Sequence, residues 1–338
     1  MCARTFFCRP ISRILACVLS PLCRVTLTAA RLDELPGPLR ARPEVAALRA
    51  AILLADGGDG GPGRGRYLAA LAFNLARLQR LDTVLAAARA AGLKLVVVKG
   101  ALLARTHYGD PGARPMVDVD LLCAPDEIDR AVELCRDLGM TRYDPEPFRR
   151  ARAATHDVKL ADGGVTIELH HRLWHELRIA RAVEPVIARA VEVPFGDATA
   201  WAPDEADHLY VVCVHAATHG FAGNALWMTD AALLVAGARA PLWPRVAAIA
   251  EAANARVALA VARDQLRAAM PWLDVDGVAG AAPLRRALVR RMTPWLQRGE
   301  GELGPWASRL VRPLLFDRAR DLGGWALEKL AMWRGARD

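Results

Sequence analysis

Lysine is scarce: Lys94, Lys99, Lys159 and Lys329 are the only four among 45 basic residues, and arginine makes up the rest. The accompanying excess of alanine and glycine reads as codon bias, so arginine counts carry little information and each retained lysine carries more. No two of the seven cysteines stand in CxxC spacing, which excludes a zinc ribbon and a thioredoxin motif. Their number is odd, and four of them (Cys2, Cys8, Cys17, Cys23) fall in the first 23 residues. Buried reduced thiols in a cytoplasmic protein are therefore expected rather than a disulfide framework. No run of about 18 uninterrupted apolar residues is present, so no membrane-spanning helix is expected. There is no GxSxG nucleophile turn. The glycine-rich stretch Gly57–Gly63 has no Gly-Lys-Ser/Thr after it and no strand before it, which leaves a connector rather than a phosphate loop.

What is present is globular in composition: 53% hydrophobic and 24% charged residues over 338 positions, room for about two domains. A net charge of +8 suits a phosphate-rich partner without establishing nucleic-acid binding. The clusters Arg149-Arg150-Arg152 and Arg285-Arg286 with Arg290-Arg291 lack interleaved aromatics and read as solvated faces.

Residues 1–30 carry arginines and no acid, with a short apolar run broken by Pro21. They read as a disordered or mis-started basic tail. Residues 31–91 follow helical spacing, with Leu68, Leu71, Leu75, Leu78 and Leu81 forming one stripe. The period then changes. Leu93–Val98 and Val117–Leu122 read as strands around a short helix at Ala101–Tyr108, and Asp126–Leu138 as a further helix ended by Gly139. Thr155–Leu160 and Val165–His170 flank Asp162-Gly163-Gly164 as a hairpin. Residues 92–174 thus predict a small mixed sheet with helices on it. All nine tryptophans lie between Trp174 and Trp333, and long Ala/Leu/Val/Arg stretches of helical spacing dominate there, so residues 175–338 predict an all-helical domain.

The sharpest chemical feature is Asp118 with Asp120. Two apart on a strand, they leave the same face about 7 Å apart. Like charges so placed resist burial unless a cation lies between them, and hard oxygen ligands suit Mg²⁺. The competing reading is the solvated face of an edge strand. Glu168 adds a third carboxylate, on a strand whose Thr166, Glu168 and His170 share one face. Simple hairpin register places Asp157 opposite Glu168 and Lys159 diagonal to it, an ordinary cross-strand ion pair. His171 and His175 are four apart, as are His215 and His219. For the second pair a packing role or a polar contact toward the cleft is favoured over zinc. Asp230, on an apolar helix, reads as a partner for those histidines or as a substrate contact.

Val98-Lys99-Gly100-Ala101, Arg114-Pro115-Met116-Val117-Asp118-Val119-Asp120-Leu121-Leu122 and Ile167-Glu168-Leu169-His170 together resemble the polymerase-β-like nucleotidyltransferases. The likeness is to a poorly characterised bacterial branch of that superfamily. It covers residues 93–172 and extends loosely to His215–His219 and Trp227–Asp230. The resemblance implies an α/β nucleotidyltransferase core with Gly100 as the turn glycine. It also implies Asp118, Asp120 and Glu168 as catalytic ligands of two Mg²⁺ or Mn²⁺ ions. Ala101 stands where the superfamily has glycine or serine, and Gly109–Met116 lengthens the gap to Asp118. Lys99 and Arg114 are the candidates to hold the nucleotide there, with Gly100, Ala101 and Lys159 beside them. His170, His215, His219 and Asp230 are candidates for the cleft and its acceptor.

The implied activity moves a nucleoside monophosphate from an NTP to an acceptor hydroxyl, with pyrophosphate released. The residues leave the acceptor open among a small molecule, a protein and RNA, and neither base preference nor oligomeric state is legible. Two other readings of the same residues stand beside it. One is an RNA-modifying toxin of a toxin–antitoxin pair; the other is a non-catalytic scaffold that binds a nucleotide or partner.

Overall fold

The computed structural model describes residues 19–142, 156–174, 179–221, 225–276, 281–297, 311–318, 321 and 323. The Arg149–Arg152 cluster and His175 lie outside the described residues.

The chain is built into the molecule well before residue 31. Helix α1 (Pro21–Thr26) starts on Ser20, whose side chain accepts from the Cys23 amide at 3.0 Å, with proline in the first turn. Leu19, Cys23 and Leu27 recur at steps of four and are all buried. The Ser20 amide also donates to the Tyr108 carbonyl at 2.7 Å. The tail reading of residues 1–30 therefore fails for residues 19–30, because a three-residue stripe is too short to register as a pattern. Short helices α2 (Ala29–Asp33) and α3 (Gly37–Arg40) lead to α4 (Pro43–Ala55) and the long α5 (Arg64–Ala90). Glycine is required at Gly63, between the last two, where a Cβ would stand 2.1 Å from the Ala46 carbonyl oxygen. Leu71, Leu78, Leu81, Val84 and Ala88 form the buried stripe of α5, while Leu68 and Leu75 of the expected stripe are exposed.

Seven strands form one mixed sheet. They are β1 (Val96–Val97), β2 (Val119–Leu122), β3 (Thr141–Arg142), β4 (Asp157–Asp162), β5 (Val165–His170), β6 (Val191–Phe195) and β7 (Ala198–Ala202). The order across the sheet is β3-β4-β5-β2-β1-β7-β6, with β2 parallel to β5 and β1 parallel to β7. The hairpin β6–β7 extends the sheet past residue 175, so that boundary falls within the α/β unit. Its alternation is interrupted by Pro194 and Gly196, which hides it from a period-two reading; Pro194 is tolerated because β6 is an edge strand. Gly163 and Gly164, at φ of 54° and 84°, make a two-residue turn that fixes the β4–β5 register. Lys159 then lies directly opposite Glu168, and Asp157 opposite His170, which corrects the expected register by two residues.

Successive strand residues divide between two cores. Val97, Val119, Leu121, Ile167 and Leu169 pack with α5 and with α7 (Ile128–Asp137). Val96, Val98 and Leu122 join the core of the helical half. That half includes α9 (Glu205–Thr218), α10 (Leu226–Gly237), α11 (Trp243–Ala252), α12 (Arg256–Ala269) and α13 (Pro283–Gln297), after α6 (Lys99–Leu103, continued by a wider turn through Tyr108) and α8 (Glu184–Arg189). Among the described residues no helix is long and apolar enough to cross a membrane.

Candidate active site

Asp120 shares its strand face with Leu122, so it points from the sheet toward the helical half. Parallel pairing sets Asp120 directly beside Glu168, and His170 lies two residues on along the same face of β5. The Nε2 of His170 lies 2.8 Å from Asp120 Oδ1 and 3.5 Å from Glu168 Oε2. Lys99 Nζ reaches the same Asp120 oxygen at 2.8 Å, and Lys159 Nζ pairs with Glu168 Oε1 while standing 3.5 Å from Asp157 Oδ2. Asp120 and Glu168 thus converge, together with two of the four lysines, while Asp118 lies in the bend just before β2 and outside the Asp120–Glu168–His170 cluster.

Their electrostatics differ sharply. Burial raises the Asp118 pKa, and the neighbouring Asp120 and Glu168 carboxylates raise it further, to about 6. Burial also opposes ionisation of Asp120, but Lys99 and His170 outweigh it and hold that carboxyl well below the usual range. Glu168 is likewise buried, yet hydrogen bonds from His170 and Lys159 carry it down to about 2. Side chains of the protein thus occupy the positions where an added cation would relieve the repulsion at Asp118. One ligand atom each from Asp120, Glu168 and His170 lies within 4.8 Å of the others. Two carboxylates and an imidazole at that spacing, with Asp118 beside them, fit a divalent cation.

Lys99 is held in an unusual backbone conformation, φ 51°, at the start of α6. A non-glycine residue there stores strain of about 1–3 kcal/mol and is found where surrounding structure fixes it. Its amide donates to His208 Nε2 at 3.1 Å, and burial presses the His208 pKa down to about 3, so that ring is neutral and able to accept. His215, seven residues later on the same face of α9, feels Lys99, Asp120 and His170; burial and the Lys99 charge hold its imidazole neutral. Its ring centroid is 4.6 Å from that of His219, which is exposed. The second histidine pair thus lies on the C-terminal part of α9, the helix whose His208 accepts from the Lys99 amide. His171 lies in a bend rather than on a helix, so the first pair does not share a helix face.

Three sequence expectations change. Asp230 does not meet the histidines. It is buried under Arg114, receiving Nε at 3.2 Å and Nη2 at 2.7 Å, with Tyr108 Oη 2.9 Å from the same carboxylate. Asp230 is thus an anchor, not an acceptor contact: a carboxylate inside an apolar helix is satisfied by a guanidinium from the sheet side. Arg114 in turn has its remaining Nη1 on the Pro115 carbonyl at 3.1 Å and stands against Gly100, where a Cβ would meet Nη1 at 2.5 Å. Its charge supports the turn from below instead of reaching a phosphate. Ala101 is buried with its side chain in the core beneath the sheet, so the missing hydroxyl is replaced by packing. Sequence reasoning missed His208 and Tyr108. The seven-residue spacing of His208 and His215, two turns of one helix face, was the available signal for the first; nothing marked the second.

Asp120 and Glu168 thus stand side by side on adjacent parallel strands of an α/β sheet. Residues 64–270, more than half of the chain, match the family model described as uncharacterised nucleotidyltransferase. The chain belongs to that family and is a transferase. None of the curated proteins matches it. Among solved structures it is similar to the antibiotic-resistance factor ANT(2'')-Ia in solution, at 14% identity over 58% of this chain and 95% of that one, TM-score 0.39. It is also similar to ANT(2")-Ia in complex with adenylyl-2"-tobramycin, at 13% identity over 48% and 89%, TM-score 0.37.

Proposed function

We propose that the protein moves a nucleoside monophosphate from an NTP to an acceptor hydroxyl with release of pyrophosphate, using divalent cations held by Asp118, Asp120 and Glu168. The observation that supports this reading is Asp120 beside Glu168 on adjacent parallel strands, with Asp118 two residues before Asp120, where burial and then those two carboxylates raise it to about 6. Divalent cations, Mg²⁺ or Mn²⁺, would neutralise the triphosphate and the charge that develops at phosphorus. The acceptor oxygen forms a bond to the α-phosphorus as the bond to the pyrophosphate oxygen breaks. The acceptor proton goes to a carboxylate. Glu168, on the strand beside Asp120, is the carboxylate we assign to take it.

Lys99, the one ammonium on Asp120, is the cation the chain offers the triphosphate, and the strained turn at Gly100 fixes where it starts. Arg114 acts through that turn. His215 and His219 line the helical wall, which closes the cleft over nucleotide and acceptor. The four described cysteines that are free (Cys23, Cys123, Cys135, Cys213) are buried, which supports a cytoplasmic setting. The test is transfer of label from α-labelled NTPs into lysate components by the wild-type protein and by Asp120→Asn. Label transfer abolished in the variant supports the reading; equal transfer by both overturns it.

A further inference from the structure

We propose that His170 is itself a metal ligand through Nε2, making the cation site a mixed nitrogen–oxygen site that favours a divalent transition ion such as Mn²⁺ over Mg²⁺. The inference rests on the metal-dependent reading above and goes beyond it in both ligand and ion. His170 is 2% exposed and shares a strand face with Glu168, with Asp120 adjacent across the parallel pair. Its Nε2 is the ring atom turned to both carboxylates, at 2.8 and 3.5 Å. The side chain thus enters the same small volume as the acids. The other ring nitrogen, Nδ1, is buried without a hydrogen-bond partner. In the metal-free site Nε2–H donates to the two carboxylates; a cation entering between them would displace that proton and take the Nε2 lone pair, the form in which histidine binds metals. The His156 ring, 5.2 Å from that of His170, packs against the imidazole and limits its rotation. Mg²⁺ takes oxygen ligands and loses water reluctantly, whereas imidazole nitrogen suits transition ions. An imidazole ligand strengthens the preference for Mn²⁺ beyond what carboxylates alone give.

The test uses metal-stripped full-length protein and Mn²⁺ alone as the probe. Free Mn²⁺ is counted by EPR during titration with and without competing Mg²⁺, and pulsed EPR reads nitrogen bound to the ion. Wild-type protein is expected to show modulation from a directly coordinated ¹⁴N, which changes to the ¹⁵N pattern after labelling with ¹⁵N-histidine. His170→Asn and His170→Gln should lose the modulation and shift the Mn²⁺/Mg²⁺ preference toward Mg²⁺ by about tenfold or more. Loss of Mn²⁺ binding in Asp120→Asn reports separately on the carboxylate site. Mn²⁺ that binds through Asp120 with no coordinated nitrogen overturns the role of His170 and leaves the metal-dependent reading standing. Nitrogen modulation that persists in both His170 variants overturns it too, and assigns the ligand to another histidine. No Mn²⁺ binding overturns both. The isotope measurement needs no variant, so misfolding of a substituted protein does not shield the proposal.

Discussion

Asp118 is the residue at which function and stability pull against each other. Its pKa is raised from the ordinary 3.8 to about 6, so the folded protein binds a proton more tightly than the unfolded chain between those values. Stability from this group is therefore greatest below about pH 4, falls as pH rises through the window and stays low above about pH 6. A shift of that size on a half-buried carboxyl is worth about 1–3 kcal/mol. Asp118→Asn should raise the Tm of metal-free protein at pH 7–8, lose that gain below about pH 4, and lower nucleotidyl transfer by at least 100-fold. Thermal scans across pH check the first part: a variant less stable than wild type at pH 8 contradicts the electrostatic account. Saturating Mn²⁺ should erase the gain, because the cation stabilises the wild-type carboxylate that the variant lacks. Asp120 and Glu168 behave oppositely, since Lys99, Lys159 and His170 hold them ionised and their contribution disappears only in strong acid.

Elements place these residues, and they decide how much of the site was legible in the sequence. The carboxylates were readable because alternation along a strand is local: Glu168 and His170 declare a shared face within a few residues, and Asp120 declares one with Leu122, although the strand starts at Val119 and leaves Asp118 in the bend before it. The parallel pairing that sets Asp120 beside Glu168 joins segments nearly 50 residues apart and leaves no such trace. The β4–β5 register was misplaced by two residues because the turn is Gly163-Gly164 alone, with Asp162 already paired to Val165. The link from α10 to the turn at Gly100 was invisible, since Asp230 and Arg114 are 116 residues apart. That link should be costly to break. Asp230→Asn leaves a buried guanidinium half-paired and is expected to destabilise by about 3–5 kcal/mol, measured by urea unfolding. Gly100→Ala should cost about 1–3 kcal/mol by driving a Cβ into that anchored guanidinium, and should weaken NTP binding by displacing Lys99. Stability close to wild type in both variants would mean that Arg114 can relocate and does not brace the turn.

At the scale of the whole molecule, the site lies between two cores that are tied together by the first described residues of the chain. Leu19, Cys23 and Leu27 belong to the core of the helical half, yet Ser20 bonds through its amide to Tyr108, at the end of the helix that begins with Lys99. Leu22 of α1 also fills the space beside Gly237 at the end of α10, where a Cβ would meet it at 2.8 Å. The segment therefore braces the two elements, α6 and α10, that meet again through Tyr108 and Asp230 below the active turn. A disposable tail would show none of this. Deleting residues 1–30 should lower the Tm by about 5 °C or more and reduce NTP binding, because the removed side chains leave apolar volume empty and the end of α6 unsupported. Leu27→Ala in the full chain separates packing from chain length: it removes one fully buried side chain and should cost about 2–5 kcal/mol by itself. A deletion that melts with the wild-type protein and binds NTP equally would show that the helical half holds its shape without α1, and would return the brace to the Asp230–Arg114 pair alone.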